Sequence, residues 1–181
     1  MWVHRSAIFY ASNQWSGNVP SLFEREVLLQ VTQHITIGRP VNIVFDYLAQ
    51  PETAMKWQGR VIDSKKLTDG PPGVNMKAKV IQTLAGQEVT FVFRTTSYIP
   101  NRVLAFTTES GPTQINGMVQ CKQVENYTHV TFTLTARLSG FLQLVGPTLK
   151  TLITNEMQND TQRLKSILEG PRNEYSPTST T

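Results

Sequence analysis

The chain has 181 residues, 39% hydrophobic and 17% charged, with a formal net charge of +4, enough to bury one core and short for two. No apolar run approaches the ~20 residues of a membrane helix, and Met1 to Tyr10 lacks a continuous apolar stretch of the secretory kind, so a soluble, cytoplasmic protein is expected. Cys121 is the single cysteine and His4, His34 and His129 show no paired metal-ligand spacing, which excludes an intramolecular disulfide and leaves no metal site or other cofactor expected.

Residues 1–25 read as an appendage: Asn13, Ser16, Gly17, Asn18 and Pro20 show no clean period, yet Trp2, Phe9, Tyr10 and Trp15 are aromatics with a reason to dock, on this chain or on a second copy in a homodimer. Residues 26–170 carry the periodic elements. Glu26 to Ile37 alternates as a strand and stops at Gly38, and Pro40 opens a short helix with Ile43, Val44, Tyr47 and Leu48. Pro51 opens a second short helix through Trp57, and Arg60 to Leu67 is a strand closed by the turn Asp69-Gly70-Pro71-Pro72-Gly73. Val74 to Leu84 and Gln87 to Tyr98 pair through a tight hairpin at Ala85-Gly86. Val103 to Glu109, Gln114 to Val124 and His129 to Leu138 complete the strands. Residues 171–181, with Pro171, Pro177 and a Ser/Thr-rich end, read as a disordered tail.

Phe141 to Glu169 is the one long helix, with Gly146-Pro147 marking a kink or its true start. Leu142, Val145, Leu149, Leu152, Ile153, Met157, Leu164, Ile167 and Leu168 recur at three- and four-residue steps and predict a single apolar stripe laid across the sheet. Parity puts Val74, Met76, Ala78 and Val80 on one face, with Val89, Phe91, Phe93 and Thr95, Leu104 and Phe106, and Val130, Phe132, Leu134 and Ala136 on the corresponding faces of their strands. The opposite faces are mostly polar, as expected of an antiparallel sheet covered on one side only. A space between sheet and helix suits an apolar ligand better than identifiable chemistry.

Pro40-Val41, Val44-Phe45-Asp46-Tyr47-Leu48, Pro51-Glu52 and Trp57 resemble the opening of the START-like (SRPBCC) superfamily, specifically its polyketide cyclase/dehydrase-like branch. Thr95 to Pro100 with Arg102 and Leu104 resembles that family's strand-to-strand passage, and Leu164-Lys165 through Glu169 its closing helix. The resemblance covers roughly residues 27 to 169. It implies the α+β helix-grip fold: a seven-stranded antiparallel sheet wrapped around a long C-terminal helix, two short helices after the first strand, and an elongated cavity for lipids, sterols, polyketides or quinones.

The ligand-lining candidates are Trp57, Met76, Phe91, Phe93, Thr95, Phe106 and Phe132 on one side and Leu149, Ile153 and Met157 on the helix. Glu156 and Asp160 fall close to the stripe. A carboxylate facing an apolar cavity can serve as a general acid or base in a cyclisation or dehydration; one at the stripe's edge reaches solvent or pairs with Arg163 or a sheet residue. Parity turns Arg94 and Arg137 outward, and no acid, base and orienting group converge. The leading expectation is therefore binding of a small hydrophobic molecule, ahead of a polyketide cyclase/dehydratase and of a protein-interaction module. Lys65-Lys66 and Lys77/Lys79 are not interleaved with aromatics, so no nucleic-acid partner is expected.

Overall fold

A computed structural model describes residues 27–84, 86–138 and 146–170; the expected appendage and tail, together with Leu142 and Val145 of the stripe, lie outside them. Seven strands, β1 (Val27–Ile37), β2 (Val61–Lys66), β3 (Lys77–Leu84), β4 (Gln87–Ile99), β5 (Val103–Ser110), β6 (Ile115–Val124) and β7 (Tyr127–Leu138), form one antiparallel sheet in the order β1-β7-β6-β5-β4-β3-β2. From β2 to β7 each strand pairs with the next along the chain. β1 then joins beyond β7 over its full length, from Val27 opposite Leu138 to Ile37 opposite Thr128.

The crossing from one sheet edge to the other uses α1 (Val41–Leu48), a 3-10 turn (Pro51–Thr53) and α2 (Ala54–Trp57). Pro40 precedes α1 with φ −59° and ψ 148°, an extended entry that its ring favours. The long helix, α3, is Gly146–Glu169, so Gly146-Pro147 marks its first described turn. Val74 departs from expectation: it is exposed, and Asn75 at φ 67° forms a left-handed turn that delays β3 to Lys77.

Two apolar clusters hold the layers together. The larger joins Ile35, Ile37, Val44, Phe45, Tyr47, Trp57, Leu104, Val119, Cys121, Val130 and Phe132 to Leu164 and Leu168 of α3. The smaller sets Leu149, Ile153 and Met157 of α3 against Leu29, Val31 and Leu138. Leu152 (49% exposed) and Ile167 (42%) stand off the stripe, whereas Thr161 is buried within it and donates its hydroxyl to the Gln158 carbonyl. Four-residue steps from Leu149 through Thr161, followed by Leu164 and Leu168, make up the face that α3 buries.

The C-terminal end of α3 is clamped. Arg39 donates to the carbonyls of Leu168 and Gly170, the Gly38 N–H donates to the Glu169 carboxylate, and Lys165 reaches the Thr36 carbonyl at 2.7 Å. The Arg39 bonds satisfy carbonyls that a helix end otherwise leaves unpaired, and the other two tie side chains of the last turn to β1 and the residue after it.

Candidate functional site

Beyond the two clusters, the inner face of the sheet carries a third apolar group. Phe91 and Phe93 lie two residues apart on β4 and stack at 5.5 Å with an interplanar angle of 13°, while Phe106 of β5 meets Phe93 edge-on at 5.2 Å. Phe91 is buried; Phe93 and Phe106 are only half-buried although both point inward. The Phe106 ring lies over Gly117, its cross-strand neighbour on β6, where a Cβ would come within 2.1 Å of the ring. Thr95 and Met76 are buried nearby, linked by a 2.8 Å bond from the Thr95 N–H to the Met76 carbonyl. The buried Thr108 hydroxyl bridges β5 to β6, accepting from the Ile115 N–H at 3.0 Å and donating to its carbonyl at 3.2 Å.

The remaining lining candidates sit elsewhere in the interior. Trp57 and Phe132 touch at 5.7 Å and are sealed inside the larger cluster, under α1 and α2. Leu149, Ile153 and Met157 are partly buried against the β1 side, and Met157 touches both clusters. Among the described residues α3 packs chiefly on β1 and α2, so its main packing is away from the β4 and β5 strands that carry Phe91, Phe93 and Phe106.

Glu156 and Asp160 are drawn to the α2–β2 junction. Glu156 is ion-paired to Arg60, and Asp160 pairs with Arg163 and accepts the Gly59 N–H at 3.0 Å; Arg163 in turn donates to the Trp57 carbonyl at 2.9 Å. Gly59, Arg60, Glu156, Asn159, Asp160 and Arg163 enclose a polar cleft of about 230 Å³. These contacts tie the middle of α3 to the chain between α2 and β2. The sequence offers no local signal for Arg60, which lies 96 residues from its partner, whereas a glycine inside a strand, as at Gly117, does signal a close approach. Arg94 is half-buried and reaches the Asn75 side-chain carbonyl at 3.4 Å.

Burial pushes the Cys121 thiol up to about 12, which makes it an inert apolar side chain of the core. The Tyr98 phenol is likewise raised, first by burial and then by the Asp46 charge, and its ring meets Phe45 edge-on at 5.4 Å. Among the described residues no three His, Cys, Asp or Glu side chains converge as metal ligands, and no helix is long and apolar enough to cross a membrane.

Residues 29–169 match the family described as polyketide cyclase / dehydrase and lipid transport. No curated protein matches the chain by sequence. Among solved structures, the chain is similar to the Zhui aromatase/cyclase from Streptomyces sp. R1128, at 17% identity over 79% of this chain and 94% of that one, with a TM-score of 0.68. A START superfamily protein from Mycobacterium smegmatis shares 14% identity over 77% and 97% of the two chains with a TM-score of 0.67. A protein from Thermus thermophilus gives 15%, 77% and 96%, with a TM-score of 0.68. The inner-face wall, the gripped helix and the matched span agree on one conclusion: the chain belongs to the polyketide cyclase/dehydrase and lipid transport family and has the helix-grip fold of START-like proteins.

Proposed function

We propose that this protein binds one small hydrophobic molecule between the Phe91, Phe93 and Phe106 wall and the N-terminal half of α3, where Leu149, Ile153 and Met157 present the opposite side. The observation that carries this reading is the half-burial of Phe93 and Phe106, two large inward-facing rings that the described residues cover only in part. An apolar face of this kind binds by area and shape, with rings offering both. Met76 and Thr95 would border the ligand, whereas Trp57 and Phe132 would support the closed end.

A cyclase or dehydratase is the second reading, favoured by the family match. It needs a proton-transfer group, and Glu156 and Asp160 are the carboxylates nearest the stripe; both already hold arginines. Native mass spectrometry of the purified protein, followed by identification of what denaturation releases, tests the first reading: a stoichiometric apolar compound is expected. A protein that emerges empty and takes up no fatty acid, sterol, quinone or aromatic polyketide would refute it. Glu156→Gln separates the two readings, since general acid/base work predicts a loss of ~100-fold or more in turnover, and binding alone predicts nearly unchanged affinity.

A further inference from the structure

The outer face of the sheet is basic over β2 to β4. Lys65 lies opposite Lys79 and Lys77 opposite Arg94, and the Leu67 N–H donates to the Lys77 carbonyl at 2.8 Å, which carries the pairing one step beyond β2. Alternation therefore sets Lys65, Leu67, Lys77, Lys79, Val92 and Arg94 on one face, opposite to that of Phe91 and Phe93. Like charges directly opposite one another destabilise a sheet, and here two such pairs share β3. Glu109 offsets one of the four cations, pairing with the Lys77 ammonium at 2.7 Å. Among the described residues no carboxylate forms an ion pair with Lys65, Lys79 or Arg94; Lys65 and Lys79 are exposed, and Arg94 donates to the Asn75 side-chain carbonyl. The other acids at this end of the sheet are Asp63, at the next outward position opposite Ile81, and Asp69 in the turn after β2.

The same face carries exposed apolar side chains at its end. Leu67 and Val74, 50% and 55% exposed, flank the turn Asp69-Gly70-Pro71-Pro72-Gly73. That turn is tied to the sheet: the Lys66 ammonium donates to the Gly70 carbonyl, and the Lys77 N–H donates to the Thr68 hydroxyl at 3.2 Å. Apolar side chains held outward beside cations with no counter-charge suit the boundary zone of a bilayer, where the first enter the acyl region and the second meet lipid phosphates. An acidic protein surface would answer the cations and leave Leu67 and Val74 in water.

The geometry points to a lipid surface: we infer that this face, with Lys65, Lys79, Arg94, Leu67 and Val74, docks on a bilayer that contains anionic phospholipid. The inference rests on the proposed function in one respect, that a poorly soluble ligand has a bilayer as its source or destination. β4 joins the two sites, presenting Phe91 and Phe93 to the interior and Arg94 to the docking face.

Cosedimentation with vesicles tests this, using phosphatidylcholine alone and phosphatidylcholine with an equal part of phosphatidylglycerol. The full-length protein is expected to bind the mixed vesicles and not the neutral ones. Lys65→Gln with Lys79→Gln should weaken that binding by about 30-fold, and Leu67→Asn with Val74→Asn by about tenfold. Lys122→Gln, exposed on β6 at the far half of the outer face, should leave it nearly unchanged. Urea unfolding of the Lys65 and Lys79 double variant should show a stability equal to or above that of the wild type, because a like-charged pair has been relieved. A clear loss would overturn the inference by giving the two lysines a structural role. No binding to the mixed vesicles, or an equal loss in Lys122→Gln, would also overturn it, and binding to polyglutamate but not to vesicles would do so by assigning the face to an acidic protein. Native mass spectrometry reads the ligand separately. A protein that carries an apolar compound and ignores the vesicles refutes the docking face alone, whereas an empty protein that binds them refutes the ligand reading alone.

Discussion

Gly117→Ala is expected to destabilise the protein, and to do so only while Phe106 is present. The added Cβ would stand 2.1, 2.4 and 2.7 Å from three atoms of the Phe106 ring, against the 3.4–4 Å of ordinary contact, so the ring must move by more than an ångström. Phe93, edge-on at 5.2 Å, limits where it can go. Overpacking of this kind costs about 1–3 kcal/mol. Phe106→Ala alone removes a half-buried ring and should cost roughly half the 3–5 kcal/mol of a fully buried phenylalanine. In that background the clash is gone, and alanine is favoured over glycine within a strand by about 0.5–1 kcal/mol. Gly117→Ala should therefore change sign, from destabilising in the native background to stabilising in Phe106→Ala, with a coupling of roughly 1.5–4 kcal/mol. Urea unfolding of the four proteins measures it. Effects of Gly117→Ala that agree within ~0.5 kcal/mol in both backgrounds would refute the ring-over-glycine packing. Ligand affinity supplies a second readout, because a ring displaced from Gly117 turns into the space assigned to the ligand.

Three further outcomes follow from the clamps and the core. Gly59→Ala would place a Cβ 2.5 Å from the Arg163 guanidinium; that side chain is flexible and 48% exposed, so it should swing away from the Trp57 carbonyl and Asp160 at a cost of about 1 kcal/mol, read by urea unfolding, and a cost above ~3 kcal/mol would show that the arginine cannot yield. Arg39→Met removes charged donors from the last carbonyls of α3, and should cost about 1.5–3 kcal/mol with faster hydrogen exchange over the final turn; exchange unchanged there would contradict the cap. Cys121 supplies a pH effect: burial lifts its thiol from 9.0 to about 12, so the folded state keeps a proton that the unfolded chain sheds above pH 9. Its contribution is whole below pH 9 and is lost as pH rises toward about 12, approaching 1.4 kcal/mol per unit, so the stability margin of wild type over Cys121→Ala should shrink between pH 9 and 10, and a constant margin would refute it.

Period alone was sufficient for most of the fold. Two-residue alternation located most of the strands because their inward positions are the more buried ones, and glycine and proline marked the turns; Val74 escaped because its alternation continues into a left-handed turn at Asn75. The site was less legible. Phe93, Phe106 and Phe132 share the same inward parity, yet the first two are half-covered and Phe132 is sealed against Trp57 of α2, a difference set by where α1 and α2 land on the sheet. Glu156 and Asp160 sit close to the stripe without meeting its apolar partners, since arginines contributed by the α2–β2 junction and by α3 itself turn them aside. Those pairings are tertiary, and helical spacing carries no information about them.

The pairing of β1 with β7 joins the first described strand to the last, Val27 to Leu138, across most of the chain. Strands β2 to β7 can zip from neighbour to neighbour, but closing β1 means closing a loop of about a hundred residues, a slow step for a topology of high contact order. On the ribosome, β1 emerges first and finds its partner last. Until then its alternating apolar residues and free backbone edge are open to any other strand, and the surface on which α3 rests does not exist. The grip on the helix is thus expected to form late in folding, and the yield of folded protein should depend on how well the nascent first strand is shielded while it waits.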